Sequence, residues 1–166
     1  MSNLTTSAEG WENKTMDKNT VLISVACIYR DKGKKREWLI TKQEEDSDWE
    51  LPRIAARKTE STARASIRMA GEQLGMTVKV LEEAGRAGGI TTMGGKTVPQ
   101  RHLYYLARLK AATGEAIAFE ATEWLPYANA VRRLTAKRDR QMLKGAREEL
   151  EKWLKRKKEE KEEEEE

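Results

Sequence analysis

The chain has 166 residues, a mean hydropathy of −0.82 and a net charge of +4 at pH 7. This length suits one domain, and no apolar run reaches the roughly 20 residues that cross a bilayer, so we expect no membrane contact and a cytoplasmic location. Because Cys27 is the single cysteine, a disulfide framework and a cysteine metal site are excluded, and we expect Cys27 in the core.

Three segments differ in composition. Residues 1–18 are polar and aperiodic, which predicts a disordered N-terminal segment, and residues 19–154 carry the apolar patterns of one domain. Residues 155–166 form an acidic tail that holds seven Glu against five Lys and Arg. The tail carries −2 of the net +4, which leaves +6 on the rest of the chain. A basic body attracts polyanions such as nucleotides, polyphosphates or RNA.

The first elements along the chain are two strands and a helix. Residues 20–30 and 36–43 are predicted as strands on either side of the turn DKGKK, and EEDSDWELPR is predicted as a loop. A helix of about four turns is predicted from Glu60, and Gly75 suits a left-handed end. Its buried face is predicted to hold Ala63, Ile67, Ala70 and Leu74.

The second half of the chain predicts more strands and two further helices. Two beta-rich segments flank the turn MGGKT, and AIAFEATEWLP is predicted as a last short strand. Pro126 can occupy the first turn of a short helix. A final helix is predicted from about Lys137 to Lys157, and its buried face is predicted to hold Met142, Ala146, Leu150 and Trp153. This order predicts an α/β (α+β) domain with a mixed sheet packed between helices.

A segment that begins at Ile54 resembles the Nudix box, which runs G, five residues, E, seven residues, then R-E-U-x-E-E-x-G-U with U apolar. Glu60, Arg68, Glu72 and Gly75 match this pattern. The flanking strands and EWLPYANAVRRLTAKRDRQMLKGAREEL resemble the same family, and the latter is most similar to the branch that acts on dinucleoside polyphosphates and diphosphoinositol polyphosphates. The resemblance implies a Nudix-type mixed β-sheet between α-helices.

Three positions of the box depart from the pattern. Ile54 stands where the family has Gly, Met69 where it has the first helix Glu, and Gln73 where it has the last. On a helix, positions 69, 72 and 73 share a face, where three carboxylates would hold Mg²⁺ or Mn²⁺ for phosphate chemistry. Glu72 remains as the catalytic candidate, and Glu72, Gln73 and Glu120 are the metal candidates. A thioether is a poor Mg²⁺ ligand.

The resemblance also implies structural residues, and side-chain chemistry suggests substrate-binding ones. Glu60 and Arg68 are expected to form an ion pair that ties the loop to the helix, and Gly75 to end that helix. Basic side chains can bind phosphate through charge-assisted hydrogen bonds, and an aromatic ring can stack on a base. The substrate-binding candidates are Arg53, Arg57, Arg101 and Tyr104, and the ring of Tyr104 could stack on a base or pack in the core.

The degenerate box leaves three functions open. It favours a weak or inactive hydrolase that binds a nucleotide, a polyphosphate or a protein partner, and such a protein would need no cofactor. The alternative is an active pyrophosphohydrolase for a dinucleoside polyphosphate or another nucleoside diphosphate derivative. In that case Mg²⁺ or Mn²⁺ is expected, and Glu50, Glu120 or Glu123 would assist Glu72. An RNA-associated protein is a third class, although no RNA-binding motif is present.

Overall fold

A computed structural model of the protein describes residues 20–165, without the side chains of Thr91 and Met93. The segment predicted to be disordered, residues 1–18, lies outside the described residues. The described elements are β1 (Val21–Lys32), β2 (Lys35–Lys42), β3 (Arg53–Ala55), α1 (Thr62–Leu74), β4 (Met76–Met93), β5 (Lys96–Ala112), β6 (Ala121–Pro126), α2 (Tyr127–Arg133) and α3 (Lys137–Glu165).

The strands form one mixed sheet in the order β4-β5-β1-β2-β6, and β3 pairs with β1 beside β2. The β1–β5 pair is parallel and the other pairs are antiparallel. The expected hairpin of β1 and β2 is present, with Tyr29 opposite Trp38 and Gly33 at φ 65° in the turn. The predicted fold class, a mixed sheet with helices packed against it, is confirmed.

Alternating side chains of β1 divide the core between the two faces of the sheet, as the two-residue period of a strand requires. Ala26 and Ile28 pack in one apolar cluster with residues of α1. Val25, Cys27 and Tyr29 pack in the other cluster with residues of α2 and α3. We call these the α1 face and the α3 face. Cys27 is fully buried, as expected from its apolar neighbours.

The buried side of α1 differs from the predicted one. Ile67 is exposed, and the buried residues of this helix are Thr62, Ala65, Ser66, Met69, Ala70 and Leu74. The apolar pattern was misleading because two hydroxyl residues face the sheet. Ser66 Oγ lies 2.6 Å from Ser24 Oγ, and Ser24 Oγ donates to the carbonyl of Thr62 at 2.6 Å. Satisfied hydrogen bonds make such polar burial tolerable.

The final helix is longer than predicted, since it continues past Lys157 to Glu165. Its terminal turns hold an ion pair between Lys157 and Glu160 at 3.4 Å, and Arg156 contacts Glu82 of β4 at 2.7 Å. Pairs spaced three or four residues apart support an exposed helix that has no apolar face. The helix buries Asp139, Leu143, Ala146 and Leu150, whereas the predicted Met142 and Trp153 are only half-buried.

Two strand predictions also need correction. The loop predicted over EEDSDWELPR ends at Arg53, but Arg53 is the first residue of β3, in which Ile54 pairs with Ser24 of β1. The last strand begins only at Ala121, five residues later than the start of the predicted segment. Three residues are too few to show a strand period, so β3 has no sequence signal of its own. None of the described helices, α3 included, is both long and apolar enough to span a membrane.

Candidate functional site

The segment that joins β3 to α1 is held by the ion pair of Glu60 and Arg68. Arg68 Nε donates to one carboxylate oxygen at 2.8 Å, and a terminal nitrogen donates to the other at 3.0 Å. The backbone amide of Arg57 adds a third bond to this carboxylate at 3.0 Å. The Arg68 guanidinium and the Arg57 amide lower the pKa of Glu60 from 4.5 to about 2. Arg68 also donates to the carbonyl of Ala55 at 3.2 Å, which fixes the end of β3.

A second carboxylate, Asp139 at the start of α3, gathers polar groups from distant parts of the chain. It is 1% exposed and forms an ion pair with Arg53. It also accepts from the backbone amide of Leu51 at 3.1 Å and from the hydroxyl of Tyr104 at 3.3 Å. Arg53 Nε donates to the carbonyl of Leu51 at 3.1 Å. This network joins the loop after β2 to β5 and α3, and several hydrogen bonds compensate the buried charge.

Arg53 and Tyr104, both substrate-binding candidates from the sequence, are held in this network by Asp139. The ring of Tyr104 is fully buried, so it has no surface on which a base could stack. Burial and the nearby Asp139 carboxylate raise the pKa of its hydroxyl. His102, two residues earlier on β5, is also buried, and its Nδ1 has no hydrogen-bond partner among residues 20–165. Burial, and to a lesser extent the positive charge of Arg53, lowers the pKa of His102.

The helix face that would carry three carboxylates in the family carries one here. Met69 is fully buried in the α1-face cluster with Ile28 and Leu39, and Ile54 packs against the same cluster. Glu72 is exposed, and Gln73 is half-buried. An apolar side chain thus occupies the first ligand position. A buried thioether, one carboxylate and one amide oxygen do not fit the oxygen-rich coordination that Mg²⁺ requires.

Glu72 lies between two arginines. Its carboxylate is 3.7 Å from a terminal nitrogen of Arg68 and 4.0 Å from one of Arg57. Lys58, next along the loop, is exposed as well. The single carboxylate that remains from the trio is therefore already in a positively charged environment, which disfavours a bound cation.

Two of the three acidic candidates outside the box are paired with arginines. Glu50 is paired with Arg53 at 3.6 Å, and Glu123 is paired with Arg133. Glu120 is exposed on the segment before β6. Within residues 20–165, no group of three or more His, Cys, Asp or Glu side chains is placed to hold a metal ion.

Arg101 lies far along β5 from Glu72. The first residue of α1, Thr62, contacts Tyr105, while the carbonyl of Gly75 at the end of α1 accepts from the amide of Thr113 at 2.7 Å. The helix therefore runs along β5 away from Arg101. This side chain instead lines a cavity of about 300 Å³ with Arg86, Ala87 and Gly88. The structure does not bring Arg101 together with the box residues.

Solved structures show which fold this is. No family model and no curated protein matches the sequence. The Nudix domain of Shewanella oneidensis NrtR, complexed with ADP ribose, superposes over 87% of this chain and 99% of its own, at a TM-score of 0.64 and 17% identity. The chain has the Nudix fold. A Caenorhabditis elegans Ap4A hydrolase binary complex matches 78% of this chain and 97% of its own at a TM-score of 0.64 and 20% identity.

A MutT protein from Methanosarcina mazei Go1 matches 81% of this chain and 98% of its own, at a TM-score of 0.60 and 17% identity. This chain thus aligns with nearly the whole length of each of these three Nudix-fold proteins. At such identities the likeness concerns the fold, so the chemistry has to be argued from the residues of the box.

Proposed function

We propose that this Nudix-fold domain binds a nucleotide or a polyphosphate and hydrolyses it slowly or not at all. The observation that carries the proposal is the burial of Met69 in the α1-face cluster, at the position where the box has its first helix carboxylate. Glu72 alone keeps an exposed carboxylate on that face. Affinity for a divalent cation depends on the number and charge of its oxygen ligands, so this face should hold Mg²⁺ or Mn²⁺ weakly.

Two observations support a phosphate-containing ligand. The neighbouring structures include one complexed with ADP ribose and one named for Ap4A hydrolysis, and both of these ligands contain a phosphate chain. The loop beside Glu72 also exposes Arg57 and Lys58, whose cationic groups suit phosphate oxygens. Neither observation favours RNA or a protein partner. The cytoplasmic location stays a prediction.

An active pyrophosphohydrolase is the second candidate, and one contact favours it. The amide of Ala118 donates to the carbonyl of Gln73 at 3.5 Å, so the segment that carries Glu120 lies beside the end of α1. In this candidate, Glu72 would act with Glu120 on a dinucleoside polyphosphate or another nucleoside diphosphate derivative.

Phosphate release separates the two candidates. The substrates are dinucleoside polyphosphates, nucleoside diphosphate sugars, ADP ribose and nucleoside triphosphates, each tested with Mg²⁺ and with Mn²⁺. We expect no turnover, or turnover far below the roughly 1 to 1000 per second that is usual for enzymes. Turnover within that usual range by the native chain, abolished by Glu72→Gln, would refute the proposal and establish the hydrolase.

Restoring the missing carboxylates tests whether a ligand pocket persists. Gln73→Glu alters a half-buried position and leaves the core residue Met69 in place, whereas the double variant Met69→Glu/Gln73→Glu restores the trio. We expect slow hydrolysis from the double variant and little from the single one, since hydrolysis in this fold depends on the charge that gathers the metal. Failure of the folded double variant to bind or cleave any of these compounds would argue against a nucleotide pocket.

A further inference from the structure

We propose that the phosphate chain of the ligand is bound directly by Arg57, with Lys58 beside it, without a bridging divalent cation. This inference rests on the proposed function and specifies its chemistry. It follows from the charges around Glu72, from the way the loop presents Arg57, and from the poor fit of the box residues to a metal.

The net charge of the loop and the exposed side of α1 is positive, whereas the carboxylates of a complete box would make it negative. The loop and the exposed side of α1 carry three cations, Arg57, Lys58 and Arg68, and two carboxylates, Glu60 and Glu72; the contacts join Glu72 to Arg57 and Arg68, and Glu60 to Arg68. The resulting local charge is positive by one unit, whereas carboxylates at positions 69 and 73 would make it negative by one. A negative site needs a metal before it can accept a phosphate chain, but a positive site attracts the chain itself.

The loop holds Arg57 in a fixed place. Its amide donates to the Glu60 carboxylate at 3.0 Å, and its carbonyl accepts from the Glu60 amide at 3.1 Å. Glu60 is in turn bound by Arg68, so this turn is anchored to α1. A backbone that is ordered before binding reduces the entropy lost when a ligand is bound.

The side chain of Arg57 remains accessible on this fixed backbone. It is 66% exposed, and its 4.0 Å approach to Glu72 is too long for a direct hydrogen bond. Arg53, four residues earlier, is only 23% exposed and is bound to Asp139. Arg57 can therefore turn its planar donors toward two phosphate oxygens, the bidentate geometry that distinguishes arginine from lysine.

Two effects distinguish direct binding from binding through a metal. In direct binding, Mg²⁺ competes with Arg57 for the phosphate oxygens, so chelating the cation does not weaken the complex. Glu72 repels the ligand, so Glu72→Gln strengthens binding. In metal-bridged binding both signs are reversed, because Mg²⁺ and the Glu72 carboxylate are then part of the link.

The test is isothermal titration of the full chain with inorganic tripolyphosphate and with ADP ribose, in EDTA and in excess Mg²⁺. We expect binding in EDTA that is at least as tight as in Mg²⁺, and an affinity about tenfold lower for Arg57→Gln because a charge-assisted hydrogen bond is lost. Glu72→Gln should raise the affinity about threefold, as one repelling charge is removed. The matched control is Arg132→Gln, an exposed arginine of α2 on the α3 face, which should change the affinity less than about twofold.

The outcomes separate this inference from the proposed function. Binding that requires Mg²⁺ and is weakened by Glu72→Gln would overturn direct binding and leave nucleotide binding intact. Unchanged affinity for Arg57→Gln, or an equal loss for Arg132→Gln, would also overturn it. If neither compound binds with or without Mg²⁺, the proposed function itself fails. Thermal unfolding of each variant verifies that these exposed substitutions leave the fold intact.

Discussion

Two arginine–carboxylate pairs hold the loop between β2 and α1, and their surroundings differ. The inner pair joins Arg53 to Asp139, which is 1% exposed on the α3 face. The outer pair joins Arg68 to Glu60, and both of these side chains are about 15% exposed, near the surface of α1. Removing Arg53 leaves the Asp139 carboxylate with almost no access to water, whereas water reaches both side chains of the outer pair.

The two arginines Arg53 and Arg57 of this segment differ in their surroundings. Arg53 lies beside Asp139 and is used to hold the loop, while Arg57 lies between the two pairs and points its side chain to solvent. Because the loop is fixed at both ends, Arg53 is held by a contact within the protein, whereas Arg57 keeps an exposed guanidinium on an ordered backbone. The following variants test this division of roles, in order of decreasing expected effect.

Loss of the inner carboxylate should have the largest effect on stability. Asp139→Ala removes the carboxylate that pairs with the half-buried Arg53 and leaves the buried Leu51 amide and Tyr104 hydroxyl without their acceptor. We expect the free energy of unfolding to fall by about 3 to 5 kcal/mol, measured by urea denaturation. Asp139→Asn, which keeps an acceptor, should cost less. A loss below about 1 kcal/mol for Asp139→Ala would show that the network is dispensable.

A carboxylate at position 69 should also destabilise the fold, because it enters an apolar cluster. We expect Met69→Glu to lower the free energy of unfolding by about 3 kcal/mol at neutral pH, whereas the volume-conserving Met69→Leu should cost less than about 1.5 kcal/mol.

Burial raises the pKa of the introduced carboxyl, so the folded state binds a proton more readily than the unfolded state. The loss should therefore shrink as the pH falls toward the ordinary carboxyl range. Thermal unfolding across this pH range is the measurement. Equal stability of Met69→Glu and native protein at neutral pH would mean that position 69 opens to solvent.

The outer pair should contribute less, and its contribution should depend on pH. The ion pair lowers the pKa of Glu60 from its ordinary value of 4.5, which applies to the unfolded chain, to about 2 in the folded protein. The pair therefore stabilises the protein fully above pH 4.5, and this stabilisation is lost as the pH falls through about 2. Glu60→Gln should therefore lower the melting temperature at neutral pH, by less than Asp139→Ala does. A melting-temperature difference that stays constant from neutral to strongly acidic pH would contradict this account.

The end of α3 should matter least. The last fully buried residue of the helix is Leu150, and beyond it the ion pair of Arg156 with Glu82 is exposed. Removing residues 155–166 should change the free energy of unfolding by less than about 1 kcal/mol, as is usual for surface ion pairs. The affinity for tripolyphosphate should also persist. A larger loss would show that the acidic end of α3 stabilises the rest of the domain.

Some of this structure could be predicted from the sequence, because the signals are local. The hairpin, the box helix, its glycine end and the mixed sheet follow from strand and helix periods and from the pattern that begins at Ile54. The partnership of Arg53 and Asp139 could not be predicted, since 86 residues separate them and an acid in a first helical turn usually faces solvent. Nor could the burial of Ser66, which depends on a hydroxyl of β1.

Position 69 shows the same limit within the candidate site. The pattern identified Met69 as a substitution for a carboxylate, but only packing shows that its side chain completes the core beside Ile28 and Leu39. A sequence pattern assigns a position to a helix face, whereas burial depends on which other elements cover that face.

The most direct test of the central claim, that the box no longer holds a metal, is Mn²⁺ binding followed by electron paramagnetic resonance. Native protein and Glu72→Gln are titrated in parallel, since the acidic loops and the Glu-rich end contribute equally to weak binding in both. We expect the two curves to coincide and the Met69→Glu/Gln73→Glu variant to bind Mn²⁺ more tightly. A tight site in the native chain that disappears in Glu72→Gln would contradict the account.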